Sequence, residues 1–141
     1  RDAMQLITDI VSDTEAELTA RIVIPADHPF LVVGKGVPTY VALEMMAQAI
    51  CAKDGLDQRR TGKPPAIGFL LGCQRFHTYR DWLALGEELT THVTCRLDAD
   101  ELGSFDCELR GTNAELVAKG AISVFRPKDV EGFLKESEMR V

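Results

Sequence analysis

The run from Gly36 to Ala52 carries one formal charge, Glu44, between the flanking cations Lys35 and Lys53. Its larger part, Thr39 to Ala52, is long enough for about four helical turns and is apolar almost all round. A helix of that composition belongs at the centre of a fold, covered on every side. Pro38 suits its first turn, where a missing amide hydrogen costs nothing. Lys53-Asp54-Gly55 predicts the exit, with Gly55 as a left-handed cap. The rest of the chain must then supply enough apolar surface to wrap this element.

The flanking segments read as strands. Met4 to Val11 is apolar and rich in Ile and Val, Ser12 to Glu15 is a polar turn, and Ala16 to Ile24 alternates loosely, which together predict an opening hairpin. Pro25 ends it, and a loop with Gly34 and Gly36 leads to the helix. After a polar connector over 56–65, the period returns to two. Ile67 to Tyr79 predicts a strand; Val93, Cys95 and Leu97 then alternate with polar residues, as do Phe105, Cys107 and Leu109, before a turn at Asn113-Ala114 and a strand from Glu115 to Phe125. Clean alternation predicts an antiparallel sheet with one covered face. The economical α+β arrangement wraps that sheet around the long central helix. Residues 1–126 form the expected single domain and 127–141 a tail or short helix. A sheet of this size with open edges favours pairing with a second copy, so a dimer is expected.

Charge narrows the partners. Sixteen basic against twenty-two acidic residues leave a net charge of −6, which argues against general nucleic-acid binding. The longest uncharged stretch, Pro64 to Gln74, holds two prolines and falls far short of the ~20 apolar residues of a membrane-spanning helix. With no leader-like segment at the front, a cytoplasmic protein is expected. Cys51, Cys73, Cys95 and Cys107 show no metal-ligand spacing and sit in apolar settings, so buried reduced thiols are expected and no metal. Cys95 and Cys107 are placed to face each other across a hairpin.

Glu44 is the anomaly. A carboxylate among apolar neighbours is costly unless paired or protonated; desolvation raises its pKa and suits it to act as a general acid. Gln48 lies one turn further on the same face. His28, in Asp27-His28-Pro29-Phe30, is the residue type best suited to take a proton near neutrality. A surface histidine and a glutamate at the edge of the core are the plainer readings of each alone. Together, a loop base, a glycine-rich approach, a helix start with free amides and an acid on the helix could enclose one site.

These residues also resemble a known segment. His28-Pro29-Phe30, followed by Gly36-Val37-Pro38-Thr39-Tyr40-Val41-Ala42-Leu43-Glu44-Met45-Met46-Ala47-Gln48, is similar to the active-site segment of the 3-hydroxyacyl-[acyl-carrier-protein] dehydratases of the hot-dog fold. That family runs from His-Phe-Pro-Gly through Pro-Gly-Val-Leu to Glu-Ala-Met-Ala-Gln. Glu44, Ala47 and Gln48 match directly, whereas His-Pro-Phe departs from the motif and the His-to-Glu separation is longer by about two residues. Counting back from Glu44 puts Thr39 at the family's oxyanion glycine; matching by residue type points to Gly36 and Val37. The form with Ile67-Gly68-Phe69-Leu70-Leu71-Gly72 resembles the subgroup found with aryl-polyene-type fatty acid synthesis.

The resemblance implies reversible dehydration of a 3-hydroxyacyl thioester to the trans-2-enoyl thioester, without a cofactor. It implies that His28 removes the proton beside the thioester carbonyl and Glu44 protonates the departing hydroxyl. Gln48 would orient Glu44, and a backbone N–H near Thr39, Gly36 or Val37 would hold the thioester oxygen. Phe69, Leu70, Met45 and Met46 are candidate walls for the acyl chain. The substrate would be carried on acyl carrier protein or coenzyme A, and the family's acid and base come from different subunits of a dimer, with itself or a related chain. Arg59, Arg60 and Lys63, or alternatively Arg75, His77 and Arg80, could dock an acidic carrier. An acyl thioesterase on the same fold and a non-catalytic acyl-binding partner subunit are the rival readings.

Overall fold

The computed structural model describes residues 6–62, 69–99 and 101–126, the side chains of Thr61 and of 69–71 excepted. The expected tail over 127–141 lies outside them. Strands β1 (Asp9–Asp13) and β2 (Glu17–Val23) form the opening hairpin, with Thr14 N–H donating to the Glu17 carbonyl across the turn. A short strand β3 (Val37–Pro38) and one 3-10 turn (Thr39–Val41) lead into helix α1 (Ala42–Thr61). Then come β4 (Phe69–Thr78), β5 (Trp82–Leu83), β6 (Glu88–Ala99), β7 (Leu102–Arg110) and β8 (Leu116–Phe125).

Six strands make one antiparallel sheet in the order β1-β2-β6-β7-β8-β4. The meander read from the alternation is β6 to β8. Strand β4 passes to the far edge and pairs with β8, and among the described residues no strand pairs with its other edge. Leu18, Ala20 and Ile22 on β2, Val93 on β6, Phe105 and Leu109 on β7 and Ile122 on β8 form the covered face. Against it lie Ala42, Met45, Met46, Ala49 and Ile50 of α1. This is the expected wrap of sheet around helix.

The helix does not end at Gly55. It continues to Thr61, and Gly62, at φ 69°, supplies the left-handed cap. The reason is a set of ion pairs between segments distant in sequence. Lys53 is only 2% exposed, and its Nζ donates to Asp13 Oδ1 at 3.0 Å, Asp57 Oδ1 at 2.7 Å and the Thr14 carbonyl at 2.5 Å. Arg60 closes on both carboxylates. Across the helix, Arg126 pairs with Asp54 at 3.2 Å and Asp98 at 2.9 Å. An internal glycine costs about 1 kcal/mol, which these contacts outweigh.

Three further expectations are corrected. Helix α1 is not covered all round: Tyr40, Glu44, Cys51 and Gly55 are exposed along one face, with Ala47 and Gln48 half-buried between them. Cys51 is therefore not a core thiol, and Cys73 and Cys95 are half-exposed; Cys107 is the buried one. Cys95 pairs in register with Phe105, and Cys107 with Val93, so the two thiols do not oppose each other. Burial pushes the Cys107 thiol up to about 12.

Removing one partner from a buried ion cluster strands the others. Lys53→Ala is expected to lower stability by about 3 kcal/mol, read as a shift of the urea midpoint. A change within about 0.5 kcal/mol, the range of ordinary surface substitutions, would mean that Asp13 and Asp57 are held by Arg60 alone. The raised Cys107 pKa gives a second test. Its contribution to stability is complete below the unfolded thiol pKa, near 9, and is lost as pH rises toward the folded value of about 12. Cys107→Ala should flatten the fall in stability over that range, measured by denaturation at stepped pH.

Candidate active site

The approach to α1 is fixed by a close backbone crossing. Gly36 has φ 109°, and a Cβ there would collide with the Leu83 carbonyl oxygen. Only glycine combines that backbone conformation with that approach. It allows β3 to pair with β5, Val37 opposite Leu83 and Pro38 opposite Trp82. Val32 and Gly36 exchange backbone hydrogen bonds, with Val32 N–H donating at 2.8 Å and Gly36 N–H at 3.0 Å. Lys35 lies 5.3 Å over the Trp82 ring. The pairing of β3 with β5 was invisible in the sequence, because two-residue strands carry no periodicity.

This arrangement decides which amides remain available. The Gly36 N–H is spent on Val32, and the Thr39 N–H donates to the Asp81 carbonyl at 3.0 Å. The expectation that Thr39 offers its backbone N–H to a substrate oxygen is therefore corrected, as is that for Gly36. Val37 is a buried strand residue paired with Leu83. Tyr40, next along, lies in the first turn, where amides lack intrahelical acceptors.

His28 is buried, with 5% of its surface exposed. It sits in a tight turn where its N–H donates to the Pro25 carbonyl and its own carbonyl accepts from Leu31. The Phe30 N–H donates to His28 Nδ1 at 3.1 Å. A neutral ring accepting at Nδ1 carries its hydrogen on Nε2. As the ring rests, Nδ1 is the basic atom and is occupied by an amide.

Glu44 lies in the first turn of α1, on the exposed face, and makes no hydrogen bond or ion pair among the described residues. The expected burial of its carboxyl is not met within one chain. The apolar neighbours Met45 and Met46 point into the sheet instead and are fully buried. Gln48 does not bond Glu44; its Oε1 accepts the Leu6 N–H at 2.8 Å. Around the helix start, Phe30, Val32, Val33 and Tyr40 present exposed apolar surface, Val33 at 92% and Tyr40 at 69%.

Other predicted residues separate into those placed and those not. Met45 and Met46 are core residues against the sheet. The side chains of Phe69 and Leu70 and the whole of Lys63 fall outside the described residues. Arg60 is committed to Asp13 and Asp57, while Arg59 is exposed at the helix end. Of the alternative basic cluster, Arg80 is held by Glu87 at 2.5 Å. Arg75 and His77 line a groove of about 510 Å³ together with Arg96 and Lys119, and with the acids Asp106 and Glu108. Arg75 has φ 54° at a bulge between Gln74 and His77, which places neighbours along β4 on one face. Sequence reading missed Lys119, whose partner in register is His77.

An antiparallel sheet curved around one long helix defines the hot-dog class. The solved structures agree. A chain of the dehydratase heterocomplex ApeI:P from Xenorhabdus doucetiae matches with a TM-score of 0.86 at 22% identity, over 95% of this chain and 90% of that one. A Streptococcus mutans protein bound to acetyl-CoA matches at TM-score 0.66 and 13% identity, over 84% and 87%. A Haemophilus influenzae thioesterase matches at 0.66 and 9%, over 84% and 76%. No curated protein sequence matches the chain. The family model of the ApeP-like proteins, described as ApeP dehydratase, matches residues 1–135, and the chain belongs to that family. Its reaction is dehydration of a hydroxyacyl thioester. Among the described residues no helix is long and apolar enough to cross a membrane.

Gly36→Ala tests the crossing that positions the site. The methyl group must push Leu83 away in a backbone conformation that costs about 1–3 kcal/mol for a non-glycine residue. Both the thermal midpoint and turnover are expected to fall; unchanged values would show that the start of α1 does not depend on this contact.

Proposed function

We propose that this chain dehydrates a 3-hydroxyacyl group carried on acyl carrier protein to the trans-2-enoyl thioester, in fatty acid or polyene biosynthesis. His28 and Glu44 are its acid–base residues. The observation that carries the proposal is the continuous frame on which each chain presents both residues to a partner. The loop bearing His28 runs through the Val32–Gly36 bridge straight into the turn that starts α1, and Glu44 stands in the next turn. Phosphate-backbone and membrane partners have no comparable support.

The thioester acidifies the neighbouring carbon, so the protein needs a base for that proton, an acid for the hydroxyl and a donor for the carbonyl oxygen. His28 accepts the proton. Its resting bond to the Phe30 N–H must give way first, at a cost of about 1 kcal/mol. That is small beside the roughly 10²- to 10⁴-fold contribution of a positioned base. Glu44, protonated, releases the hydroxyl as water, with Gln48 donating to it. The carbon–hydrogen and carbon–oxygen bonds break, the carbon–carbon double bond forms and water leaves; the proton taken by His28 must return to Glu44, through solvent, before the next turnover.

The same reading requires a second chain. Glu44 and the apolar rim of Phe30, Val32, Val33 and Tyr40 are exposed on the single chain. A partner seated over this face, a second copy or a related chain, would desolvate Glu44 and bring acid and base together from two subunits. The edge of β4 that faces away from β8 offers backbone groups for it. The Xenorhabdus dehydratase is a heterocomplex and the Streptococcus protein is bound to acetyl-CoA, which supports assembly and thioester binding respectively.

The test is incubation with a 3-hydroxyacyl carrier protein, alone and with a related chain, following loss of water by mass and appearance of conjugated absorbance. Glu44→Gln and His28→Asn should each keep the fold and lose about 10²- to 10⁴-fold in turnover. Full activity in either variant removes that residue from the mechanism. Release of free thiol without an enoyl product would instead make the protein a thioesterase.

A further inference from the structure

Among the described residues, every arginine and lysine except Arg59, Arg75 and Lys119 is held by an acid or, for Lys35, by the Trp82 ring. In a chain of net charge −6, free cations are scarce. Two of these three, Arg75 and Lys119, line the same groove of about 510 Å³, with His77 beside them. The two acids of the groove are each held by an arginine. Asp106 pairs with Arg96 at 3.0 Å, and Glu108, although opposite Lys119 in register, pairs with Arg110 at 2.5 Å. The groove keeps a surplus of positive charge.

The backbone is bent in a way that brings these groups together. Two residues of β4, Arg75 and Phe76, stand opposite the single Gly120 of β8, between the pairs Gln74–Ala121 and His77–Lys119. Phe76 packs on the core. Strict alternation from Gln74 would turn Arg75 and His77 to the helix side. The bulge instead sets Gln74, Arg75 and His77 on the outer face together. Arg75 holds φ 54° to do so, a left-handed conformation that is uncommon for a residue with a side chain. The floor is small and polar, with Ser104 facing Ser123 across β7 and β8 and Ala121 next to them. On β7 the buried Phe105 and Leu109 alternate with these outer residues and face α1, so the groove lies on the opposite side of the sheet from the helix.

The lining chooses among ligands. It holds no phenylalanine, tyrosine, tryptophan or large aliphatic side chain, the kind of anchor that the centre of a protein interface uses. Two free cations are too few for a nucleic-acid backbone. Arginine and lysine suit phosphate, the first as a planar fork and the second as a point charge. Serine hydroxyls and a carboxamide suit the hydroxyls of a polar body. The volume falls within the range of small-molecule sites, roughly 300–1,000 Å³. We propose that the outer face of the sheet carries a second ligand site, for a small phosphorylated organic molecule of nucleotide size. Arg75 and Lys119 hold its phosphates, with His77 bordering them, and Gln74, Ser104 and Ser123 bond the polar remainder. The site does not depend on the dehydratase reading, because the sheet separates it from α1.

Calorimetric titration of the assembled protein with ADP should show saturable binding at one site per chain, absent with adenosine and weaker with inorganic pyrophosphate. Arg75→Gln combined with Lys119→Gln should weaken ADP by roughly tenfold or more. Arg59→Gln, which removes the free cation outside the groove, should change nothing. Arg75→Gly separates binding from a structural role. Glycine accepts φ 54° without strain, so the thermal midpoint should hold or rise while affinity falls. No saturable ADP binding, or equal affinity in the wild type and the double variant, overturns the inference. So does pyrophosphate binding as tightly as ADP, which would leave the polar floor unused. Displacement of ADP by an acyl-pantetheine, which carries no phosphate, overturns it too, by placing the nucleotide in the acyl site. If an acyl carrier protein rather than ADP loses affinity in the double variant, the groove is a protein-docking face and the inference fails.

Discussion

The contact on which the site depends is between two backbones. Gly36 presses on the Leu83 carbonyl where no side chain fits, and that contact sets where β3 ends and the helix begins. From there the consequences are geometric. The Thr39 amide reaches Asp81 rather than solvent, the first turn is pulled in against β5, and Glu44 emerges at a fixed angle beyond it. The far end of the same helix is fixed by charge, through Lys53 buried between Asp13 and Asp57. A helix held at both ends, by sterics at one and ion pairing at the other, is a rigid mount for an acid.

What the amino-acid sequence reveals well is which surfaces avoid water. The alternation on β6 and β7 places Val93, Phe105 and Leu109 correctly, although Leu97, on the same face as Val93, is exposed, and the apolar run correctly marks the central helix. Its end was misread, because Gly55 resembles a cap locally while the forces that carry the helix past it come from Asp13 and Arg126. Ion pairs between distant segments leave no periodic trace. Thr39 was misread for a related reason. Position relative to Glu44 says which residue occupies the turn, but only the pairing of β3 with β5 says which of its hydrogens is already engaged.

The most informative error concerns Glu44. An apolar run shows that the neighbours of a residue shun water, not that the residue itself is covered. In α1 the buried stripe is Ala42, Met45, Met46, Ala49, Ile50 and Lys53, so Glu44 falls on the other side with Tyr40, Gln48 and Cys51. The apolarity of that second side, Ala47 and Cys51 included, exceeds what a solvated face requires. It fits a face written for two environments, one within the chain and one between chains. The electrostatic argument for a protonated carboxyl is then displaced to the assembly rather than lost.

That displacement has a functional logic. If Glu44 acts as the acid only when a second chain covers it, the isolated chain presents it on an exposed face. His28, by contrast, is already enclosed within its own chain, its ring held by the Phe30 amide. The two halves of the proposed acid–base pair are therefore prepared differently, one by folding and one by association. Chemistry on a reactive thioester would begin only where carrier, acid and base are all enclosed, and the chain alone would be a stable but incomplete catalyst.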